Sequence, residues 1–307
     1  MIVSLDLGFY FSADSPIPDW AGLGTCLVAR PDLAPIPPSL LERLAAIPLP
    51  RGHLLVTTSG STAADGGVVR LVALSVDAFL ASATAVNAHL DVTRRDVWAH
   101  ALPMFHVGGL GILARAFLSG SRIVPTVDRK WNARRFHAKV LAERATLSAL
   151  VPSQVHDLVK EGLSAPPSMR AIVVGGARLD PGLYADAREL GWPCLPSYGM
   201  TETCSQVATA DPKTTSMPAA YPAVLPVLPH ASVRAAADGR IHVRASSLLT
   251  GYVTLDAAAG KTRFDDPKRD GWFVTEDLGR VHGGGIEVLG RAVDSVQVLG
   301  ELVDLSA

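Results

Sequence analysis

Residues 198–206 read YGMTETCSQ, and four of the nine side chains carry hydroxyls. Together they offer what a reaction at a phosphate needs. The Tyr198 ring has a face for stacking on a flat base. Thr201 supplies a hydroxyl, and Glu202 a hard carboxylate oxygen of the kind Mg²⁺ takes. The plain alternative is a polar loop whose Ser and Thr side chains bond their own backbone. Four further stretches could join such chemistry. TTSGSTAADGG (57–67) has glycines for close approach, with hydroxyls and amides that can cradle phosphate oxygens, yet it lacks the G-K-[ST] ending of a Walker loop. PMFHVGGLG (103–111) sets His106 beside an aromatic ring and paired glycines. VVGGARLD (173–180) is a buried strand ending in bare glycine, the edge of an open α/β sheet where ligands lie. GWFVTEDLG (271–279) holds Asp277 at a strand turn, where a carboxylate can accept two hydrogen bonds from a ribose diol. Each also has an ordinary reading: a flexible hairpin loop, a satisfied loop histidine, a strand-to-helix turn, a turn residue bonding its own backbone.

Positioning these residues requires a scaffold, and the hydrophobic pattern supplies one. From residue 54 to 200 apolar runs of strand length alternate with helical periods. A strand over Leu54–Val56 runs into the glycine-rich loop, and VVRLVALS reads as the return strand. A helix follows with Ser75 as its N-cap. Further helices fall on GGLGILARAFLSG, NARRFHAKVLAERA, PSQVHDLVKEG (closed by Gly162) and DPGLYADARELG, with Asp180 capping and Pro181 just inside. This order predicts an α/β domain of mainly parallel sheets flanked by helices. After residue 230, strand-like runs with Asp-Gly and Gly-Gly turns predict a smaller β-rich subdomain. The expected division is a core over 1–229 with a short Pro-rich segment at 1–50, a subdomain over 230–290 and a hinge region over 291–307.

Composition narrows the class. The chain has 307 residues, a net charge of −1 and 48% hydrophobic residues. Near-neutral charge argues against a nucleic-acid partner, which would call for a basic excess. Three irregularly spaced cysteines form neither a disulfide framework nor a C-x-x-C metal pair, which points to a reduced, cytoplasmic setting. The N-terminus lacks a basic n-region, and no apolar run nears the ~20 residues of a membrane span.

Order and co-occurrence of the motifs carry more than any one of them. TTSGST, LPMFHVGGL, SALVPSQVHDLV, VVGGARLDP, YGMTETCSQVAT, GWFVTEDLG and GRAVDSVQVLGE, in this sequence over residues 53–300, resemble the adenylate-forming superfamily of acyl- and aryl-CoA ligases. Within it the similarity is greatest to the o-succinylbenzoate–CoA ligases of menaquinone biosynthesis. The resemblance implies the large N-terminal domain of that fold and AMP-forming ligation of an aryl acid, with ATP, Mg²⁺ and CoA as small-molecule partners. It implies that Tyr198 stacks on adenine beside Gly199, that Thr201 bonds the α-phosphate and that Glu202 holds Mg²⁺. Ser59, Ser61 and Thr62 would hold the outer phosphates. Gly175, Gly176 and Ala177 would border adenine and substrate, and Asp277 and Arg291 would bind ribose. His106 would gate the acyl carbonyl, with Gly108, Gly109, Ser205 and Gln206 around the acid. A benzoate- or anthranilate-type ligase, a degenerate domain that binds without turnover, and a homodimer all stay open.

The chain departs from the family pattern at named places. Ala63 stands where the family has glycine, and the following Pro-Lys pair is missing; Arg70 is the nearest cation. Val293 and Gln297 replace the usual hinge residues. The sequence stops just past the hinge, so the C-terminal lid domain and its lysine are expected to be absent.

Overall fold

The computed structural model describes residues 3–4, 20–28, 42–44, 46–47, 49–50, 52–57, 68–126, 130–216, 220–256, 259–292, 295–298 and 301–304. Ser59, Ser61, Thr62 and Ala63 of the glycine-rich loop lie outside the described residues, as does Val293.

The chain opens with strands β1 (Val3–Ser4), β2 (Cys26–Val28), β3 (His53–Thr57) and β4 (Val68–Ser75). Helix α1 (Val76–His89) begins where Ser75 Oγ accepts from the Ala78 amide at 3.1 Å, which satisfies one of the helix's orphan donors. Strands and helices then alternate: β5 (Val97–His100), α2 (Val107–Ser119), β6 (Arg122–Pro125), α3 (Ala133–Ala142), β7 (Leu147–Leu150), α4 (Pro152–Lys160), β8 (Ala171–Val174) and α5 (Pro181–Glu189). Asp180 caps α5 as its sequence predicts, with Oδ1 accepting from the amides of Gly182 and Leu183. Strand β9 (Cys194–Met200) follows, then β10 (Ser205–Thr209). These strands form a sheet in the order β10-β9-β8-β7-β5-β6, parallel throughout except for the β9–β10 pair. Strands β7 and β8 are buried along their whole length, as expected of a parallel sheet covered on both faces.

The C-terminal third carries β11 (Leu225–Pro226), β12 (Ala231–Ala235), β13 (Arg240–Ala245), β14 (Gly251–Asp256), β15 (Lys261–Asp265), β16 (Phe273–His282), β17 (Gly285–Arg291), β18 (Ser295–Val298) and β19 (Glu301–Asp304). Here the expected boundary at residue 230 does not describe the pairing. Strands β11-β17-β16-β13-β12 make an antiparallel sheet, but the β14–β15 hairpin leaves it and extends the N-terminal sheet as β1-β2-β3-β4-β14-β15. The N-terminal sheet is therefore mixed rather than mainly parallel: β1, β2 and β3 run parallel, and β3, β4, β14 and β15 antiparallel. The physical reason lies in β4. Its inner residues Leu71 to Leu74 are buried, so the strand cannot stand as an open edge and takes β14 as a partner.

Two of the buried layers bear on the site. Trp20, Val56, Val72, Phe79, Leu110 and Leu113 join the N-terminal sheet to α1 and α2. Trp98, Leu147, Val173 and Leu195 join the central sheet to Ile241, Val243 and Ile286 of the C-terminal sheet. One charged knot ties the central elements together. The buried Asp96, just before β5, receives Arg170 through Nε at 2.8 Å and Nη2 at 2.9 Å, the Thr93 amide at 2.8 Å and the Thr146 hydroxyl at 2.8 Å. Among the described residues no helix is long and apolar enough to cross a membrane.

Candidate active site

The hydroxyl-rich stretch turns out to be a reversal between antiparallel strands. After β9 the chain makes a short 3-10 turn over Thr201–Thr203 and returns as β10. Thr203 is fully buried, and its Oγ1 accepts from the Met200 amide and lies 2.8 Å from the Ser205 carbonyl, to which it can donate. That side chain serves the backbone, as the plain reading of a polar loop has it. Cys204 and Ser205 take φ of 51° and 106°, uncommon for residues with a Cβ, so the turn is held rather than relaxed. Gly199 makes it possible, because a Cβ there would overlap the Ser205 carbonyl. Thr201 and Glu202 remain half-buried at the tip of the turn.

Beside it lies a cavity of about 300 Å³ between the carboxyl ends of β8 and β9 and the β16–β17 pair. Gly176, Ala177, Tyr198, Gly199, Asp277 and Arg291 all line it, so residues expected from four separate motifs meet in one place. Gly175 stands at the same strand end. Asp277 and Arg291 are opposite one another in the β16–β17 register, with Arg291 Nε 3.3 Å from Asp277 Oδ1. The other oxygen of Asp277 accepts from the Tyr198 hydroxyl at 2.8 Å. Burial, then the Asp277 charge, push the Tyr198 hydroxyl well above its ordinary pKa, so it stays a donor. A carboxylate held from both sides this way is aimed, and the Tyr198 ring is fixed as a wall of the cavity.

The glycine turn at 103–111 is organised by a residue that the motif alone does not reveal. His100, buried at the end of β5, donates from Nε2 to the Gly109 carbonyl at 3.1 Å. Burial lowers its pKa to about 4, so the imidazole is neutral at physiological pH. Gly109 fits because a Cβ would overlap the Pro103 carbonyl. Gly108 follows His106 into the first turn of α2; His106 is the residue before that helix, its ring 4.6 Å from that of Phe105. On β10, Ser205 is half-buried. Gln206 is buried, and its Oε1 accepts from the Thr209 hydroxyl at 2.6 Å.

Glu202 is the one motif carboxylate at the turn tip. Its Oε1 accepts from the Tyr252 hydroxyl at 2.9 Å, and among the described residues Oε2 receives no hydrogen bond. No group of three or more His, Cys, Asp or Glu clusters among the described residues. A single carboxylate suits Mg²⁺, which keeps several waters and takes substrate phosphates as ligands.

Arg115 belongs to none of the motifs. Helical periodicity puts it on an apolar helix, where it reads as an interruption. In the structure it is 1% exposed, and neither Nε nor Nη1 has a partner among the described residues. Its guanidinium carbon lies 5.5 Å from the Trp98 ring centre, and the buried Trp98 Nε1 donor likewise has no partner among the described residues. A methyl group placed on Gly111 would sit 3.2 Å from Arg115 Nη2 and 3.9 Å from Ser205 Cβ, so the guanidinium and Ser205 share the space beside that glycine. Burial lowers the Arg115 pKa to about 10, which still leaves it charged. The only signal in the sequence was a cation where the helix period demands core.

A family model described as AMP-binding enzyme matches residues 51–253. The chain is 30% identical over 255 residues to a 2-succinylbenzoate–CoA ligase of Staphylococcus aureus (strain MRSA252), covering 80% of this chain and 49% of that protein. Against the protein of that description from Bacillus velezensis the identity is 30% over 271 residues, covering 85% and 53%. The chain thus spans about half the length of the curated relatives it matches. Among solved structures, o-succinylbenzoate CoA synthetase from Bacillus subtilis in complex with the acyl-adenylate intermediate OSB-AMP is similar, with 26% identity and a TM-score of 0.65, over 82% of this chain and 52% of that one. The same enzyme in complex with ATP and magnesium ion gives 28% identity and a TM-score of 0.66, over 81% and 52%.

Proposed function

This chain belongs to the AMP-binding enzyme family, and from that membership we propose that it joins ATP and o-succinylbenzoate as an acyl-adenylate for transfer to CoA in menaquinone biosynthesis. The acid's carboxylate oxygen attacks the α-phosphorus, the bond to the bridging oxygen breaks, and pyrophosphate leaves. No side chain need be a nucleophile. The protein's part is to align the reactants and to stabilise charge on phosphate oxygens. Asp277, aimed by Tyr198 and Arg291, accepts from the ribose hydroxyls, and the Tyr198 ring stacks on adenine. Thr201 donates to the α-phosphate from the turn tip. Glu202 would hold Mg²⁺, which neutralises charge on the departing phosphates when bound. Ser59, Ser61 and Thr62 would bind those phosphates from the glycine-rich loop. His106, with Gly108 and Gly109, borders the reacting carboxyl at the start of α2. Gly175, Gly176 and Ala177 form the flat edge between nucleotide and acid. The same reading assigns the chain to the cytoplasm, supported by three free, buried cysteines.

One observation carries the choice of acid. A buried charge is tolerated when it is paired, and among the described residues Arg115 is buried and charged with no partner on two of its nitrogens. Its helix follows directly on His106, and its Nη2 lies beside Gly111, one turn nearer that end. An aryl acid with a second carboxylate beyond its ring would bring the missing counter-charge. Benzoate and anthranilate bring none. Ser205, beside Arg115, and Gln206, the next residue on β10, would supply further polar groups for that carboxylate.

Competition binding of three non-hydrolysable acyl-sulfamoyl-adenosines tests this. The o-succinylbenzoyl form should bind roughly 10- to 100-fold more tightly than the benzoyl or anthraniloyl form, the scale of charge-assisted hydrogen bonds. Equal affinity for all three would leave the adenylating chemistry and remove the dicarboxylate.

A further inference from the structure

Strand β14, which the sequence assigned to a separate subdomain, brings a tyrosine to the metal carboxylate. Tyr252 is 6% exposed, and its hydroxyl donates to Glu202 Oε1. Across the β4–β14 ladder Tyr252 faces Val72, and Arg70 faces Thr254, so Arg70 and Tyr252 are diagonal neighbours on one face of the sheet. The Arg70 guanidinium carbon lies 3.5 Å from the centre of the Tyr252 ring. Carboxylate, phenol and guanidinium thus form one stack, with the cation at its exposed end. Arg70 is the third residue after the glycine-rich loop that ends at Gly67, on the strand this loop feeds.

We propose that Tyr252 is a positioning residue for the metal and leaving-group end of the site: its hydroxyl aims Glu202, and its ring face holds Arg70 where the guanidinium meets the outer phosphates of ATP. This rests on the reading of the chain as an adenylating enzyme. A carboxylate with one oxygen tied to a phenol presents the other in a fixed direction. Octahedral Mg²⁺ is strict about direction. A guanidinium stacked on an aromatic ring keeps its N–H edge free for phosphate oxygens. A brace between strands would need neither the hydroxyl contact to Glu202 nor a cation at the exposed end.

The test is calorimetric titration of the 307-residue chain with ATP, AMP and pyrophosphate over a range of Mg²⁺ concentrations, for wild type, Tyr252→Phe, Arg70→Ala and Arg70→Lys. Tyr252→Phe keeps the ring and its packing. It should raise the Mg²⁺ concentration needed for half-maximal ATP binding about 10-fold, and leave AMP binding within about twofold. Arg70→Ala should weaken ATP and pyrophosphate about 10-fold or more, with AMP again unchanged and Arg70→Lys recovering part of the loss. Unchanged Mg²⁺ dependence in Tyr252→Phe, or an unchanged ATP-to-AMP affinity ratio in Arg70→Ala, would overturn the inference while AMP binding by wild type upholds the adenylating reading. Absence of AMP and ATP binding in wild type would overturn both.

Discussion

Replacing Arg115 with methionine should weaken binding of the o-succinylbenzoyl-adenylate analogue by roughly 10²–10³-fold and leave AMP binding unchanged, since truncating one partner of a buried charge pair costs about 2–5 kcal/mol. The same substitution should make the free protein more stable. Without ligand, the guanidinium is desolvated, with no partner for Nε and Nη1 among the described residues, and it sits between Trp98 and the apolar face of α2. Methionine fills similar space with no charge to desolvate. Hydrophobic replacement of buried ions stabilises by about 1–4 kcal/mol in comparable settings. The two opposite signs separate binding from architecture. If Arg115 were a structural residue, the variant would lose stability and leave the acid-binding end of the site no more affected than the nucleotide end. Calorimetric binding and a urea melt of the same variant read both quantities.

Asp96→Ala should destabilise the fold by about 2–4 kcal/mol at neutral pH, somewhat below the usual cost of breaking a fully buried pair because the Arg170 side chain is 37% exposed. The carboxylate joins the segment before β5 to β7 through Thr146 and to the start of β8 through Arg170, whose Nη1 also reaches the Leu90 carbonyl at 2.7 Å. Removing it takes the shared acceptor from donor groups on three residues at once. Burial alone would raise its pKa, but the hydrogen bonds from Arg170, Thr93 and Thr146 outweigh that and hold it at about 2, against 3.8 for a free aspartate. The folded pKa is therefore the lower one. Its contribution is fully present above pH ~4 and is lost as pH falls from there toward 2. Urea titrations at pH 7 and pH 3 should show wild type losing more stability on acidification than Asp96→Asn. Equal losses would remove the linkage.

How much was legible beforehand depended on the range of the interaction. The caps at Ser75 and Asp180, the helix beginning after His106 and the central run of parallel strands follow from signals a few residues long, and each forms where its local chemistry puts it. The meeting of Gly176, Tyr198, Asp277 and Arg291 in one cavity could be expected only from motif order, because Tyr198 and Asp277 are 79 residues apart and nothing local ties them. The β14–β15 hairpin went to the wrong sheet in the sequence reading. Its alternation and turns fit either partner, and the choice was made by the buried strand β4, nearly two hundred residues earlier. Tyr252 was invisible for the same reason. Arg115 was hidden in another way. Periodicity says where side chains point, not whether a charge pointing inward has a partner, and only the packed neighbourhood shows two of its nitrogens without one among the described residues.

Adenylation as proposed needs one cleft to hold the nucleotide and the aryl acid side by side. Calorimetric titration of the 307-residue chain with o-succinylbenzoyl-sulfamoyl-adenosine, next to AMP and the free acid, tests it most directly. Linking two ligands that occupy adjoining subsites turns the second contact into an intramolecular one, so the analogue should bind at least ~10²-fold more tightly than either half. Equal, weak binding of AMP and the analogue would contradict a shared cleft and leave a nucleotide site alone.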